Sequence, residues 1–311
     1  LRTHPHKPLY NRALRGTYRP GSIFKMLQGL IALDEGVIFP HTVIDCNREI
    51  IGCHGAHTAD NLTEAITHSC NPYFREVMRR VVVRGKNENH LIDASIGLEN
   101  WHERIKDFGF GTDLGGNLPG TRKGQIPNSE YYDGIYGKHH WGYSTIYSIS
   151  IGEGELLTTP LQMANLAAII ANRGTYREPH AVRDIGGRGK PAGEDDLLQT
   201  RVNPVFFEPV IDAMQLVVED ESGTARRARV EGIEICGKTG TVQTPGAEDH
   251  SAFMAFAPRE NPQIALSVYV EYSGHGGTWA APIAGLLIEK YLNNTITYNH
   301  RLDRVLEFDV E

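Results

Sequence analysis

Three apolar runs close to the C-terminus constrain this chain more than any other feature. Residues 233–243, 251–257 and 263–272 read as β-strands. Ser251-Ala252-Phe253-Met254-Ala255-Phe256 alternates in character. Ile264-Ala265-Leu266-Ser267-Val268-Tyr269-Val270 is nearly continuous and rich in β-branched residues, as a central strand should be. Residues 258–262 leave room only for a short turn, so the last two runs form an antiparallel hairpin. A closing helix follows over 278–292.

Upstream of these strands the periodicity is helical. Over residues 22–35, Ile23, Phe24, Met26, Leu27, Leu30, Ile31 and Leu33 make a broad apolar face that stops at Gly36. A second helix is read over 61–71, with Asn61 as its cap and Glu64 completing a capping box. Residues 84–145, rich in Gly, Asn, Asp and Tyr, read as loops around one helix near 98–107. A helix over 160–172 starts at Pro160 and ends at Asn172-Arg173-Gly174, and 204–219 repeats its pattern. Helices, then strands, then a helix predict an α/β (α+β) domain: an antiparallel sheet flanked by helices. The 311 residues are read as one domain, 1–311, with a helical and loop-rich subregion at about 36–200 and a C-terminal sheet region at about 201–311.

Composition enters as an exclusion. Hydrophobic residues at 40% can fill a core, and charged residues at 22% fit neither a disordered nor a membrane-spanning chain. Thirty-eight acidic against 31 basic residues, with no basic run, give no footprint for nucleic acid. No apolar stretch approaches the roughly 18–20 residues that cross a bilayer. The chain opens Leu1-Arg2-Thr3-His4-Pro5, without a Met start or a signal peptide, and reads as a piece of something longer.

Chemistry is carried by three short motifs. Ser22-Ile23-Phe24-Lys25 follows Pro20-Gly21 at a helix start, where a spacing of three brings a hydroxyl and an amine to one face. An amine whose pKa is depressed by burial can take a serine proton, and the helix N-terminus offers N–H groups to an oxyanion. Ser69-Cys70-Asn71 supplies a hydroxyl for proton relay and an amide for positioning. Lys238-Thr239-Gly240-Thr241, in the first strand, adds a cation and two hydroxyls suited to a carboxylate. Gly240 has no side chain, so a substrate backbone could lie against the strand there. Taken singly, each has an ordinary reading: a solvated helix start, a helix cap, an edge strand blunted by a lysine.

Together, in this order, the three motifs mark serine β-lactamases and penicillin-binding proteins. Pro8-Leu9-Tyr10-Asn11-Arg12-Ala13, Leu118-Pro119-Gly120, Phe108-Gly109-Phe110-Gly111 and Gly223-Thr224-Ala225 extend a resemblance to class B penicillin-binding proteins over nearly the whole chain. Asn100-Trp101-His102 and Ser150-Ile151-Gly152-Glu153-Gly154-Glu155 are most similar to the elongation-type penicillin-binding protein 2 group. The resemblance implies the penicillin-binding fold with an all-helical subdomain. Two strands of its sheet, which in the family precede the active serine, would lie outside this chain. It also implies a peptidoglycan D,D-transpeptidase that cross-links stem peptides through an acyl-enzyme on Ser22 and is inhibited by β-lactams. Lys25 would be the base. Ser69 and Asn71 would assist proton transfer and positioning. Lys238, Thr239 and Thr241 would hold the terminal carboxylate, and the Ser22 and Thr241 N–H groups would form the oxyanion hole. No catalytic cofactor is implied. The implied setting is the periplasmic face of the inner membrane, reached by an N-terminal anchor outside this chain, beside a glycan polymerase and the cell-elongation machinery. A serine β-lactamase and a β-lactam sensor domain are the rival functions.

Cys46, Cys53, His57 and Cys70 form a further pattern: three thiolates and an imidazole suit tetrahedral zinc. Some members of the penicillin-binding protein 2 group are similar here and carry a structural zinc. A Cys46–Cys53 disulfide, three unlinked thiols, or His54 or Asp45 in place of a named ligand are the alternatives. The resemblance leaves one departure in the second motif, where Cys70 stands in place of the usual Asp. Cys236, in the first strand, reads as a small buried hydrophobe.

Overall fold

The computed structural model describes residues 4, 7–55, 57–114, 118–182, 186 and 197–307. Asn11 caps a single turn, α1 (Arg12–Arg15), accepting from Leu14 N at 3.2 Å. The chain then passes through a 3-10 turn, Gly21–Phe24, straight into α2 (Lys25–Asp34). Every residue from Lys25 to Leu33 is buried. The apolar face read in the sequence is therefore part of a helix enclosed on all sides, around which the others pack.

Two short strands, β1 (Ile44–Asp45) and β2 (Ala59–Asp60), pair antiparallel and close the base of the loop between them. Asn61 then caps α3 (Leu62–Thr67) with the expected box: Glu64 N donates to Asn61 Oδ1 at 3.0 Å, and Asn61 N donates to Glu64 Oε2 at 2.9 Å. The helix does not continue to residue 71. Ser69 takes a left-handed conformation (φ 60°), and a new helix, α4 (Asn71–Val82), begins with Pro72 in its first turn. A proline without an N–H is tolerated at such a start and opposes a helix running through it. Ser69 and Cys70 thus form the corner between two helices, and Asn71 opens the second.

The loop-rich stretch contains more helix than its composition suggests. α5 (His90–Lys106) is nearly twice the expected length, and α6 (Ser129–Tyr136) and α7 (Tyr143–Ile146) are additional to the one helix read there. The Asp93 carboxylate, 2% exposed, accepts from the N–H groups of Arg84, Gly85 and Lys86 and ties the α4–α5 connection. Gly97 allows α5 to cross the end of α4, since a Cβ there would fall 1.8 Å from Val82 O. Trp101 is fully buried and donates to Gln28 Oε1 at 2.8 Å, while Gln28 donates to Ile149 O at 3.3 Å. That pair of bonds links α5, α2 and the 3-10 turn Tyr147–Ile151.

α8 (Pro160–Ala171) starts at its proline with a Thr159–Gln162 capping box. A small pair, β3 (Thr175–Tyr176) and β4 (Leu198–Gln199), precedes α9 (Phe207–Glu219). The main sheet is β5 (Cys236–Val242), β6 (His250–Ala257) and β7 (Ile264–Val270), antiparallel in the order β5-β6-β7. Cys236 pairs with Phe256, Gly240 with Ala252, and Ala257 with Ile264. The central strand is β6, buried from Ser251 to Ala257. The nearly continuous apolar run of β7 pairs with β6 among the described residues and is half-buried along its length. Both α8 and α10 (Ala280–Asn293) pack on β7, which accounts for apolar residues at successive positions. A last helix, α11 (Asn299–Leu306), lies beyond the predicted elements. Buried residues from Ile23 to Ile288 form a continuous core around α2 and the sheet. No helix among the described residues is long and apolar enough to cross a membrane.

Candidate active site

The 3-10 turn before α2 sets the first pair of groups. In a 3-10 helix, side chains three residues apart eclipse one another more closely than in an α-helix, and Lys25 N donates back to Ser22 O across this turn. Gly21 makes the turn possible with φ 55°, and its N–H donates to Gly152 O at 2.9 Å. Gly152 is itself left-handed (φ 78°), and a Cβ on it would lie 2.0 Å from Gly21 O. These two backbones meet behind Ser22, whose side chain faces a cleft of about 1380 Å³.

Lys25 is fully buried beneath that cleft. Its Nζ donates to Ser69 O at 2.7 Å, Asn71 Oδ1 at 2.6 Å and Ser69 Oγ at 3.2 Å. Burial lowers its pKa to about 7, while the sulfurs of Cys53 and Cys70 act in the opposite direction. The amine is thus poised to lose its proton near neutrality, with the Ser69 hydroxyl at hand. The left-handed backbone of Ser69 is uncommon for a residue with a Cβ, and such conformations concentrate at functional sites. Asn71 Nδ2 donates to Gly52 O at 2.8 Å, so the loop between β1 and β2 holds the amide that accepts from Lys25.

The third motif splits across its strand. Thr239 and Thr241 line the cleft. Thr239 Oγ1 lies 2.8 Å from Thr224 Oγ1, and Thr241 Oγ1 accepts from Gly276 N at 3.3 Å. Lys238 is fully buried, with its pKa pushed well down by burial and then by the Lys25 charge. It acts on the cleft from below. At Gly240 a Cβ would meet Pro20 O at 2.9 Å and Ala252 Cβ at 3.3 Å. The missing side chain lets β5 close against the turn that carries Ser22. The structure therefore brings Ser22, Ser69, Asn71, Thr239 and Thr241 to one cleft, with Lys25 and Lys238 beneath it.

Beside this cleft the ligand atoms of Cys46, Cys53, His57 and Cys70 all lie within 4.8 Å of one another. Tetrahedral zinc with Zn–S bonds of about 2.3 Å needs sulfurs about 3.8 Å apart, so this donor set fits the ion. His54 lines the cleft and neither it nor Asp45 joins the group. The thiols of Cys46 and Cys53 are both free, not joined as a disulfide. Hydrogen bonding from Cys70 pulls the Cys53 thiol down to about 4, and the same bond, with burial, pushes Cys70 up. Cys236 stands apart, its thiol raised by burial to about 12, as a small core residue.

Two contributors escape the sequence reading. Asp60, 1% exposed, has Oδ2 2.6 Å from His57 Nδ1 and Oδ1 3.2 Å from His68 Nδ1. His57 Nε2 lies 3.5 Å from Cys53 Sγ. A carboxylate behind a ligating imidazole fixes its tautomer and ring orientation. Asp60 marks itself in the sequence only as a residue before a helix cap. Glu153 lines the cleft, with its carboxyl raised to about 7 by burial despite Arg19 at 3.7 Å. The sequence around it stands out, but nothing there separates Glu153 from Glu155, which instead accepts from Tyr132 Oη at 2.8 Å.

A buried lysine one 3-10 turn from a cleft serine, a second serine and asparagine on a helix corner, and a hydroxyl-bearing strand opposite are the arrangement that serine acyl transfer requires. The family profile described as the penicillin binding protein transpeptidase domain matches residues 2–289, and the chain belongs to that family. Within it, the chain is 32% identical over 333 residues to the peptidoglycan D,D-transpeptidase MrdA of Haemophilus influenzae, covering 98% of this chain and 48% of the relative. The MrdA of Acinetobacter baumannii is 31% identical, over 94% of this chain and 45% of the relative. The crystal structure of Pseudomonas aeruginosa PBP2 in complex with WCK 5153 aligns with a TM-score of 0.80 at 28% identity, covering 96% of this chain and 65% of that one. The chain spans about half the length of the curated relatives it matches.

Proposed function

We propose that residues 1–311 are the transpeptidase domain of a peptidoglycan D,D-transpeptidase of the MrdA type, with Ser22 as nucleophile. The observation that carries this reading is the buried Lys25 amine, bonded to Ser69 and Asn71 one turn from Ser22. Lys25, as free amine, takes the Ser22 proton while Ser22 Oγ attacks the carbonyl of the D-Ala-D-Ala bond. The oxyanion is received by backbone N–H groups of Ser22 and Thr241. The C–N bond then breaks, and the leaving D-Ala amine takes a proton through Ser69, the relay Lys25 holds in place. An amine of a neighbouring stem attacks the ester, and Ser22 recovers its proton as the cross-link forms. Thr239 and Thr241 hold the terminal carboxylate, above the buried Lys238.

In this reading Cys46, Cys53, His57 and Cys70 hold a structural zinc. The ion supplies rigidity and no catalytic step: it ties the loop that bonds Asn71 to the helix corner that carries Ser69. The protein works at the periplasmic face of the inner membrane, anchored there by another segment of the polypeptide. A glycan polymerase and the elongation machinery are its partners, and β-lactams inhibit it by acylating Ser22 as substrate mimics. The similarity to MrdA relatives supports this setting.

The test is product analysis with a D-Ala-D-Ala stem pentapeptide and an amine acceptor. Free D-Ala and a joined peptide are expected in equal amounts, and both vanish in Ser22→Ala. Rapid turnover of nitrocefin without peptide joining would instead make this a β-lactamase.

A further inference from the structure

The cleft that holds Ser22 is larger than a D-Ala-D-Ala dipeptide requires, and its far end has a different chemistry. Against a chain with a formal charge of −7, that end is lined by arginines from two segments. One is the stretch after Thr224, carrying Arg226, Arg227 and Arg229, and the other is α11, carrying Arg301 and Arg304. Glu221 pairs with Arg226 at 2.7 Å and with Arg229 at 4.0 Å. Among the described residues, no carboxylate lies within ion-pair distance of Arg227, Arg301 or Arg304. Two of these three are held in place by aromatic rings: the Arg301 guanidinium sits 4.1 Å from the Tyr298 ring centroid, and that of Arg304 sits 4.5 Å from Trp279. Arg301 also donates to Arg229 O at 2.6 Å, joining the two segments.

This wall is continuous with the reacting end. Thr224, two residues before Arg226, bonds Thr239 through its hydroxyl, and a Cβ on Gly277 would meet Thr224 O at 2.4 Å. The guanidiniums therefore stand on the segment that touches the carboxylate-holding strand, farther along the same groove. Stacking on aromatic rings holds a planar guanidinium in one orientation and leaves its N–H edge to meet a carboxylate.

We infer that this wall is a second carboxylate subsite, which reads a free side-chain carboxylate on the stem residue preceding D-Ala-D-Ala. It makes the enzyme selective for a diamino-diacid at that position over lysine. The inference rests on the transpeptidase reading of the same cleft. Its physical basis is a set of cations without ion-pair partners among the described residues, two of them set over aromatic rings, against which an acid is favoured and a neutral group of the same shape gains nothing.

The experiment uses the purified full-length protein and three tripeptides ending in D-Ala-D-Ala. Their first residue is diaminopimelate, diaminopimelate with its side-chain carboxylate amidated, or lysine. Each is titrated for protection of Ser22 against a fluorescent penicillin. A charge-assisted bond to the acid predicts half-protection at a concentration ~10-fold or more below that of the amide or the lysine peptide. The ratio should shrink as salt is raised. In the triple variant R227A/R301A/R304A it should fall to within about 2-fold, each protein serving as its own reference. Equal protection by the three peptides in the unmodified protein overturns the inference while the transpeptidase reading stands. Absence of any penicillin labelling removes that reading first.

Discussion

A lysine with no exposed surface keeps its proton only if its surroundings replace water. Lys25 has three acceptors around Nζ and still has its pKa brought down to about 7 by burial. Below that pH the amine is an ammonium that has no lone pair to offer Ser22. Above it the free base is present. Acylation of Ser22 by penicillin should therefore be slow at pH 5.5, rise through about 7 and level off by about 8.5. The check is a stopped-flow pH profile, and Lys25→Arg, which cannot deprotonate in this range, should abolish the rise. Asp60 acts at the same scale through His57. If the Cys–His cluster holds zinc, Asp60→Asn should weaken its binding by about 10- to 100-fold, measured by competition with a chromophoric chelator. Unchanged affinity would separate Asp60 from the metal. The groups within a short stretch of chain (Ser22 with Lys25, Ser69 with Asn71, Thr239 with Thr241) are legible in the sequence because spacing alone places them. Asp60 and Glu153 are not: their importance lies in burial and in contact with loops that local pattern does not reveal.

The elements do more than carry side chains. Two glycines allow the turn behind Ser22 to close on the 147–152 segment, and the approach is so tight that one methyl is too much. Gly152→Ala adds a Cβ 2.0 Å from Gly21 O at a backbone of φ 78°. It should lower stability by about 1–3 kcal/mol and slow Ser22 acylation, read by chemical denaturation and labelling rate on the same preparation. At this scale the sequence foretells the helix capped by Asn61 but runs it past the corner at Ser69. A left-handed serine has no sequence signature, and Pro72 is the one local warning. The first half of α5, and α6 and α7 entirely, are obscured because Gly and Tyr residues there resemble loop composition, whereas Gly97 is required where α5 crosses α4. The apolar run of β7 predicts the strand correctly, because α8 and α10 both cover it.

In the whole molecule, the reacting groups are assembled from both ends of the chain. Ser22 and Lys25 come from the N-terminal helix start, Ser69 and Asn71 from the helix corner, and Thr239 and Thr241 from the sheet. The Cys–His cluster stands where the β1–β2 loop meets that corner, and Asn71 bonds Gly52 within that loop. If the cluster holds zinc, a chelator should both lower the melting temperature by several degrees and slow acylation of Ser22, with zinc restoring both. Loss of stability with an unchanged acylation rate would uncouple the metal from the catalytic corner. The order of the motifs along the chain is enough to make this assembly legible, since three distant segments share one chemistry only if the fold brings them together. The arginine wall is not legible in that way, because nothing in the sequence pattern announces α11, and its partners lie about seventy residues upstream in the chain.

Intact-mass spectrometry of the protein treated with benzylpenicillin tests most directly whether Ser22 and Lys25 act as one chemical unit. One adduct of the full penicillin mass is predicted, mapped to the peptide containing Ser22, absent in Ser22→Ala and formed at least about 100-fold more slowly in Lys25→Ala. An adduct that persists in Ser22→Ala, or one that forms in Lys25→Ala at the unmodified rate, would contradict it.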